Sequence, residues 1–99
     1  MRTLLKFQFP VEAANQGIKD GTLPRTVEGF IQQHKPEAAY FFAEEGLRTA
    51  LFVFDLKDTS DIPSIAEPFF MTLNAAVSAT PVMNAEDLKT GLGRLAGRQ

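Results

Sequence analysis

His34 is the only histidine in the chain, and there is no cysteine. A lone imidazole can act as a general base or occupy one metal coordination position. Near the end of a helical segment the same ring also complements the negative end of the helix dipole, a role that needs no ligand. With one imidazole and no thiolate, no metal centre is expected. Asp55, Asp58 and Asp61 are spaced like a carboxylate cluster. The stretch lacks the central glycine and alternating ligands of a calcium loop, so turn and capping chemistry explains it better. Ser64 and Ser78 have no histidine–acid pairing nearby in sequence, which leaves a hydrolase triad without support. Gly91-Leu92-Gly93 lacks the strand-to-helix context of a phosphate loop. Arg25 and Arg48 could meet a carboxylate or phosphate, although single exposed arginines are ordinary surface.

The remaining candidates are polar groups set among aromatic residues. Lys6 and Gln8 share the more polar face of the first strand, Tyr40 offers a hydroxyl to the same space, and His34 completes the ligand-binding set. Polar groups among phenylalanine rings are what a small-molecule pocket requires. An intersubunit hydrogen-bond network requires the same. No cofactor is expected.

The elements that must position these groups follow from periodicity and punctuation. Thr3–Phe9 alternates as a strand, with Leu5, Phe7 and Phe9 on one face and Leu4, Lys6 and Gln8 on the other. Val11–Asp20 reads as a short helix stopped by Gly21, and a second helical segment begins near Pro24 with Leu23, Val27, Phe30 and Ile31 on one side. Lys35-Pro36 ends it. Ala39–Ala43 and Arg48–Leu56 read as strands joined through Glu44-Glu45-Gly46, an antiparallel hairpin. Ile62, Ile65, Ala66, Phe69, Phe70 and Leu73 carry the clearest helical period, with Pro68 expected to bend the helix. Ala75–Met83 is a fourth strand, placed at an edge or ended by Pro81. Asn84 caps a last helix with Asp87 in the reciprocal position and Leu88, Leu92 and Leu95 as its stripe; Gly97-Arg98-Gln99 is expected to fray.

The order β-α-β-β-α-β plus a terminal helix is the ferredoxin-like signature, an α+β fold with a four-stranded antiparallel sheet in one domain spanning residues 1–99. A net charge of −2 and a pI near 5.3 give no footprint for nucleic acid or an anionic membrane. The N-terminal residues have no signal-peptide pattern and no apolar run is long enough to span a bilayer, so a cytoplasmic protein is expected.

In the third strand, Leu51-Phe52-Val53-Phe54 leaves neither face polar. A sheet covered on one side should alternate, and the exposed face of such a sheet would project roughly 400 Å². An apolar patch of that size on a monomer usually marks an interaction. A homodimer packed sheet on sheet resolves it, with Phe41, Phe52 and Phe54 as interface candidates; the terminal helix folding back over the face is the alternative. On this reading Phe52→Asp would shift the protein toward monomer or aggregate.

The chain resembles the dimeric α/β-barrel superfamily, and within it small bacterial proteins of no established function. The resemblance lies in Pro36-Glu37-Ala38-Ala39-Tyr40-Phe41, the strand Arg48–Asp55, Ala66-Glu67-Pro68-Phe69-Phe70 and Thr80-Pro81-Val82-Met83. It implies two ferredoxin-like subunits joining their sheets into a barrel. Members include monooxygenases, isomerases and haem-degrading enzymes, so the fold does not choose a function. The haem-degrading members share an Asn, Trp and His constellation. This chain has no Trp, and Asn15 and His34 lack the matching context.

Three functions follow as expectations. The first is a noncatalytic homodimer that holds a small hydrophobic ligand in the barrel. The second is a cofactor-free monooxygenase- or isomerase-like enzyme in which Lys6, Gln8, Tyr40 or His34 positions a substrate or moves protons. The third is a protein-interaction module that covers its open sheet with another protein.

Overall fold

A computed structural model describes residues 1–97. The elements run β1 (Arg2–Phe9), α1 (Val11–Asp20), α2 (Thr22–His34), β2 (Ala38–Glu44), β3 (Leu47–Asp55), α3 (Ile62–Leu73), β4 (Ala76–Pro81) and α4 (Ala85–Ala96), with one 3₁₀ turn at Thr59–Asp61. Every expected element is present, and boundaries move by one or two residues. The four strands form one antiparallel sheet in the order β2-β3-β1-β4.

Local chemistry accounts for most of the junctions. Gly21 sits at φ 82°, ending α1 and starting α2 in one residue, a conformation that favours glycine. Lys35 closes α2 at φ 46° and donates its N–H to the Ile31 carbonyl at 2.9 Å. Glu45 and Gly46, at φ 54° and 78°, make the two-residue turn that matches the twist of a hairpin. Asp58 accepts from the Ser60 N–H at 2.9 Å and so opens the turn before α3. α3 continues through Pro68 from Ile62 to Leu73. Pro81 is the last residue of β4, an edge strand, where its missing N–H costs the sheet least.

Strand alternation sorts the sheet into two faces. Thr3, Leu5, Phe7 and Phe9 pair with Phe54, Phe52, Ala50 and Arg48, and this face receives the helices. Phe30 of α2 and Ile65, Phe69 and Leu73 of α3 complete the core. Aromatic rings dominate it: Phe7 stacks on Phe69 with centroids 3.8 Å apart, and Phe30 lies 4.6 Å from Phe52. The helices reach each other through Gly17 of α1. A Cβ there would stand 2.7 Å from Cδ2 of Leu73 and 3.1 Å from Cβ of Leu23. Leu73 is fully buried and cannot swing away. Gly17→Ala is therefore expected to destabilise the fold by about 1–3 kcal/mol despite alanine's better helix propensity. Urea unfolding checks this, and an unchanged midpoint would show that the α1–α3 contact yields more freely.

The opposite face carries Arg2, Leu4, Lys6 and Gln8 from β1, with Leu51 and Val53 from β3 and Tyr40 and Phe42 from β2. No helix packs over it. The expectation that both faces are apolar needs correction here. The centre is apolar, but Lys6 pairs with Glu44 and Gln8 donates to the same carboxylate at 3.1 Å, so a polar bridge crosses one end.

α4 does not fold back over the open face. Asn84 and Asp87 form the reciprocal cap, with Asp87 N–H to Asn84 Oδ1 at 2.8 Å and Asn84 N–H to Asp87 Oδ2 at 3.1 Å. Arg2 grips that cap, with Nη1 2.8 Å from Asp87 Oδ2 and Nε 2.7 Å from Glu37 Oε1. From this anchor the helix runs outward, and all twelve of its residues are exposed. Gly97 closes α4, while Arg98 and Gln99, expected to fray, lie outside the described residues.

Candidate functional site

The four ligand-binding candidates do not converge. Lys6, Gln8 and Tyr40 lie on the open face, as their alternation requires. His34 belongs to the helix layer, with its ring 5.0 Å from Phe30 and 5.7 Å from Phe54. It borders a separate depression of about 240 Å³ shared with Arg25, Gln33 and Ser64. Lys6 and Gln8 border only a shallow hollow of about 170 Å³ beside Ser78. Their polar groups are already occupied by Glu44, which suits a structural bridge better than a waiting site.

The interface candidates also need correction. Phe52 and Phe54 are 0% and 2% exposed within the single subunit, because their parity matches Leu5 and Thr3 on the face beneath the helices. They have no surface to offer a partner. Phe41 is 58% exposed but faces the helix side too, opposite Ala50, with its ring edge-on to Phe52. The apolar residues of the open face are instead Leu4, Leu51 and Val53, with the aromatic rings of Tyr40 and Phe42. The signal for them was available: they share the parity of Lys6 and Gln8.

The aspartates act as caps and surface partners. Asp55 accepts from Lys57 Nζ and the N-terminal amine, each at 2.6 Å, and hydrogen bonding by Lys57 first and the amine second lowers its carboxyl to about 2. The Ser60 backbone N–H, followed by its side chain, holds Asp58 below the ordinary carboxylate range. Among the described residues no three His, Cys, Asp or Glu side chains gather as metal ligands. No helix among them is long and apolar enough to cross a membrane.

A larger concavity lies elsewhere. An open-sided groove of about 590 Å³ separates α2 from the edge strand β2. Leu23, Val27 and Ile31 form one wall, Phe41 and Ala43 the other, and Phe9 and Ala50 lie in the floor. It exists because β2 is the outermost strand and α2 stops short of it. Two alanines on the helix-facing side of the hairpin, Ala43 and Ala50, leave the space unfilled. Two charged groups border the groove on different elements, Glu28 on α2 and Arg48 on β3. Neither belongs to an ion pair among the described residues. From sequence, Arg48 is a possible carboxylate or phosphate contact with ordinary exposed surface as the simpler reading, and nothing there places it beside a groove. The available clue was the alternation of alanine with large side chains across the hairpin, Ala50 opposite Phe41 and Ala43 opposite Arg48.

Comparison of the sequence with protein families and with curated proteins finds no match. The geometry of the groove and of the open sheet therefore carries the functional reading.

Proposed function

We propose that this chain is a ferredoxin-like subunit of a homodimeric α/β barrel that binds a small hydrophobic molecule. The binding place is the groove between α2 and β2, and the open sheet face meets a second copy. The observation that carries the ligand reading is the groove itself. Its volume, about 590 Å³, falls within the roughly 300–1,000 Å³ typical of small-molecule sites. Its lining is apolar apart from the border, which matches the usual pattern of an apolar body and few polar anchors.

Arg48 adds a preference for the ligand's head group. A guanidinium without a carboxylate partner, beside an apolar trough, favours an amphipathic carboxylate whose chain lies against Val27 and Phe41. Glu28 stands on the α2 wall and repels the same head group, so the carboxylate belongs at the Arg48 end. Decanoate and the neutral decanol are suitable probes. Titration calorimetry is expected to show one decanoate site per chain. Arg48→Gln should weaken decanoate by about two- to fivefold, the loss of one solvent-exposed charged contact, and leave decanol unchanged. Ala43→Trp, which fills the groove from an exposed strand position, should abolish both. Equal binding by all three proteins would place the ligand outside this groove and end the proposal.

A further inference from the structure

α4 is short for a helix that is held by Arg2 at its N-terminal cap and exposed along its whole length. Helices of twelve residues are marginal in water on their own, and Gly91 and Gly93 lower the intrinsic helicity further. Yet Leu88, Leu92 and Leu95 form a continuous stripe that is 47%, 55% and 63% exposed. Gly91 falls inside that stripe, between Leu88 and Leu95, and nothing lies within 4 Å of where its Cβ would be. A glycine there lets another backbone approach closely. The helix therefore has the form of an element awaiting a surface.

The opposite edge of the sheet has the reciprocal need. β2 is an edge strand with Tyr40, Phe41 and Phe42 exposed by 64%, 58% and 40%. An edge strand with exposed apolar side chains invites uncontrolled pairing unless something covers it. The chain's own α4 does not cover it. α4 follows β4, at the far side of the sheet from β2, and its residues are exposed along its whole length. The subunit measures 59 Å along its longest axis against 28 Å and 17 Å.

We infer that α4 is an exchanged arm, laid by each copy across the β2 edge of a second copy. The inference rests on the homodimer proposed above and names the element that makes it stable. When two identical sheets stack face to face about a two-fold axis along the strands, the β4 edge of each lies over the β2 edge of the other. Each α4 then emerges beside the strand that needs cover. One symmetric exchange satisfies both unpartnered surfaces, whereas a foreign partner would satisfy one.

Area points the same way. Two stacked sheet faces bury about 800 Å² in total. Stable specific interfaces bury about 1,200–2,000 Å². Half the surface of a helix about 18 Å long and 10 Å wide is about 280 Å². Tyr40 and Phe42 already belong to the stacked faces, so only the arms' own surface is added, about 560 Å² for two, which brings the sum to about 1,360 Å², inside the stable range.

Sedimentation equilibrium of the full chain and two variants tests the arm. Wild type should be a dimer of 10.9 kDa chains. Leu92→Asp should raise the dissociation constant by about a hundredfold or more, since each substitution acts twice per dimer, with an unchanged far-UV spectrum for the sheet and first three helices. Val53→Asp, on the open face, should also dissociate the dimer. Because the chain has no cysteine, a Leu92→Cys, Phe42→Cys double variant should give a disulfide-linked dimer on mild oxidation. A dimer unchanged by Leu92→Asp and not cross-linked, but broken by Val53→Asp, would overturn the arm and leave the sheet-face dimer standing. A wild-type monomer would overturn both.

Discussion

Phe69→Ala should lower the unfolding free energy by about 3–5 kcal/mol, the usual cost of deleting a fully enclosed phenylalanine. Phe69 is 1% exposed and sits where both major layers meet. Its ring stacks on Phe7 and also lies 6.4 Å from Phe9 and 6.5 Å from Phe30. Removing it leaves a cavity bordered by stiff rings that cannot collapse into the space, and cavity cost rises where collapse is blocked. For a domain whose whole stability is about 5–15 kcal/mol, that loss is a large fraction. The neighbouring Phe70 provides the control. It is 41% exposed on the same helix, so Phe70→Ala should cost about 1 kcal/mol or less. Urea titrations of the two variants measure the contrast. Equal midpoints would mean that α3 is rotated about its axis relative to the sheet.

The second large effect separates adjacent residues of one strand. Phe52→Asp is expected to prevent folding altogether, because the side chain is fully enclosed and a carboxylate there has no partner. Its loss of charge on protonation would still leave a polar group among phenylalanine rings. Leu51→Asp, one position earlier, points to the open face opposite Lys6 and Tyr40. That chain should fold, with a dispersed amide spectrum and near-native stability of the subunit. Amide chemical-shift dispersion distinguishes the two outcomes directly. A folded Phe52→Asp together with an unfolded Leu51→Asp would mean that β3 is shifted by one residue. The result also separates core from interface: the proposed dimer uses Leu51 and Val53, whereas Phe52, an interface candidate from sequence, belongs to the fold of each subunit.

Much of the architecture was legible because its signals are local. Gly21 and Gly46 mark turns through positive φ that residues with a Cβ resist, and the structure places φ 82° and 78° there. The Asn84–Asp87 cap was readable from spacing alone. The period of Ile62, Ile65, Ala66, Phe69 and Leu73 survived even an internal proline, because burial of that stripe outweighs one missing backbone hydrogen bond. The site was less legible. The groove depends on how far α2 stands from β2, a distance that no window of sequence contains. Lys6 and Gln8 looked available because Glu44, their shared partner, lies two strands away in the sheet and 36 residues from Gln8 in the chain.

By itself the sequence determined the order and type of the elements, their caps and turns, and the pairing of residues by parity within each strand. Each of those depends on interactions between residues a few positions apart. Tertiary structure alone decided which parity faces the helices. β3 is apolar on both sides, so its pattern reads almost the same after a one-residue shift, and only packing by Phe30 and Phe69 breaks the tie. The anchoring of α4 was likewise outside local reach, since its cap is held by Arg2, 85 residues from Asp87 in the chain.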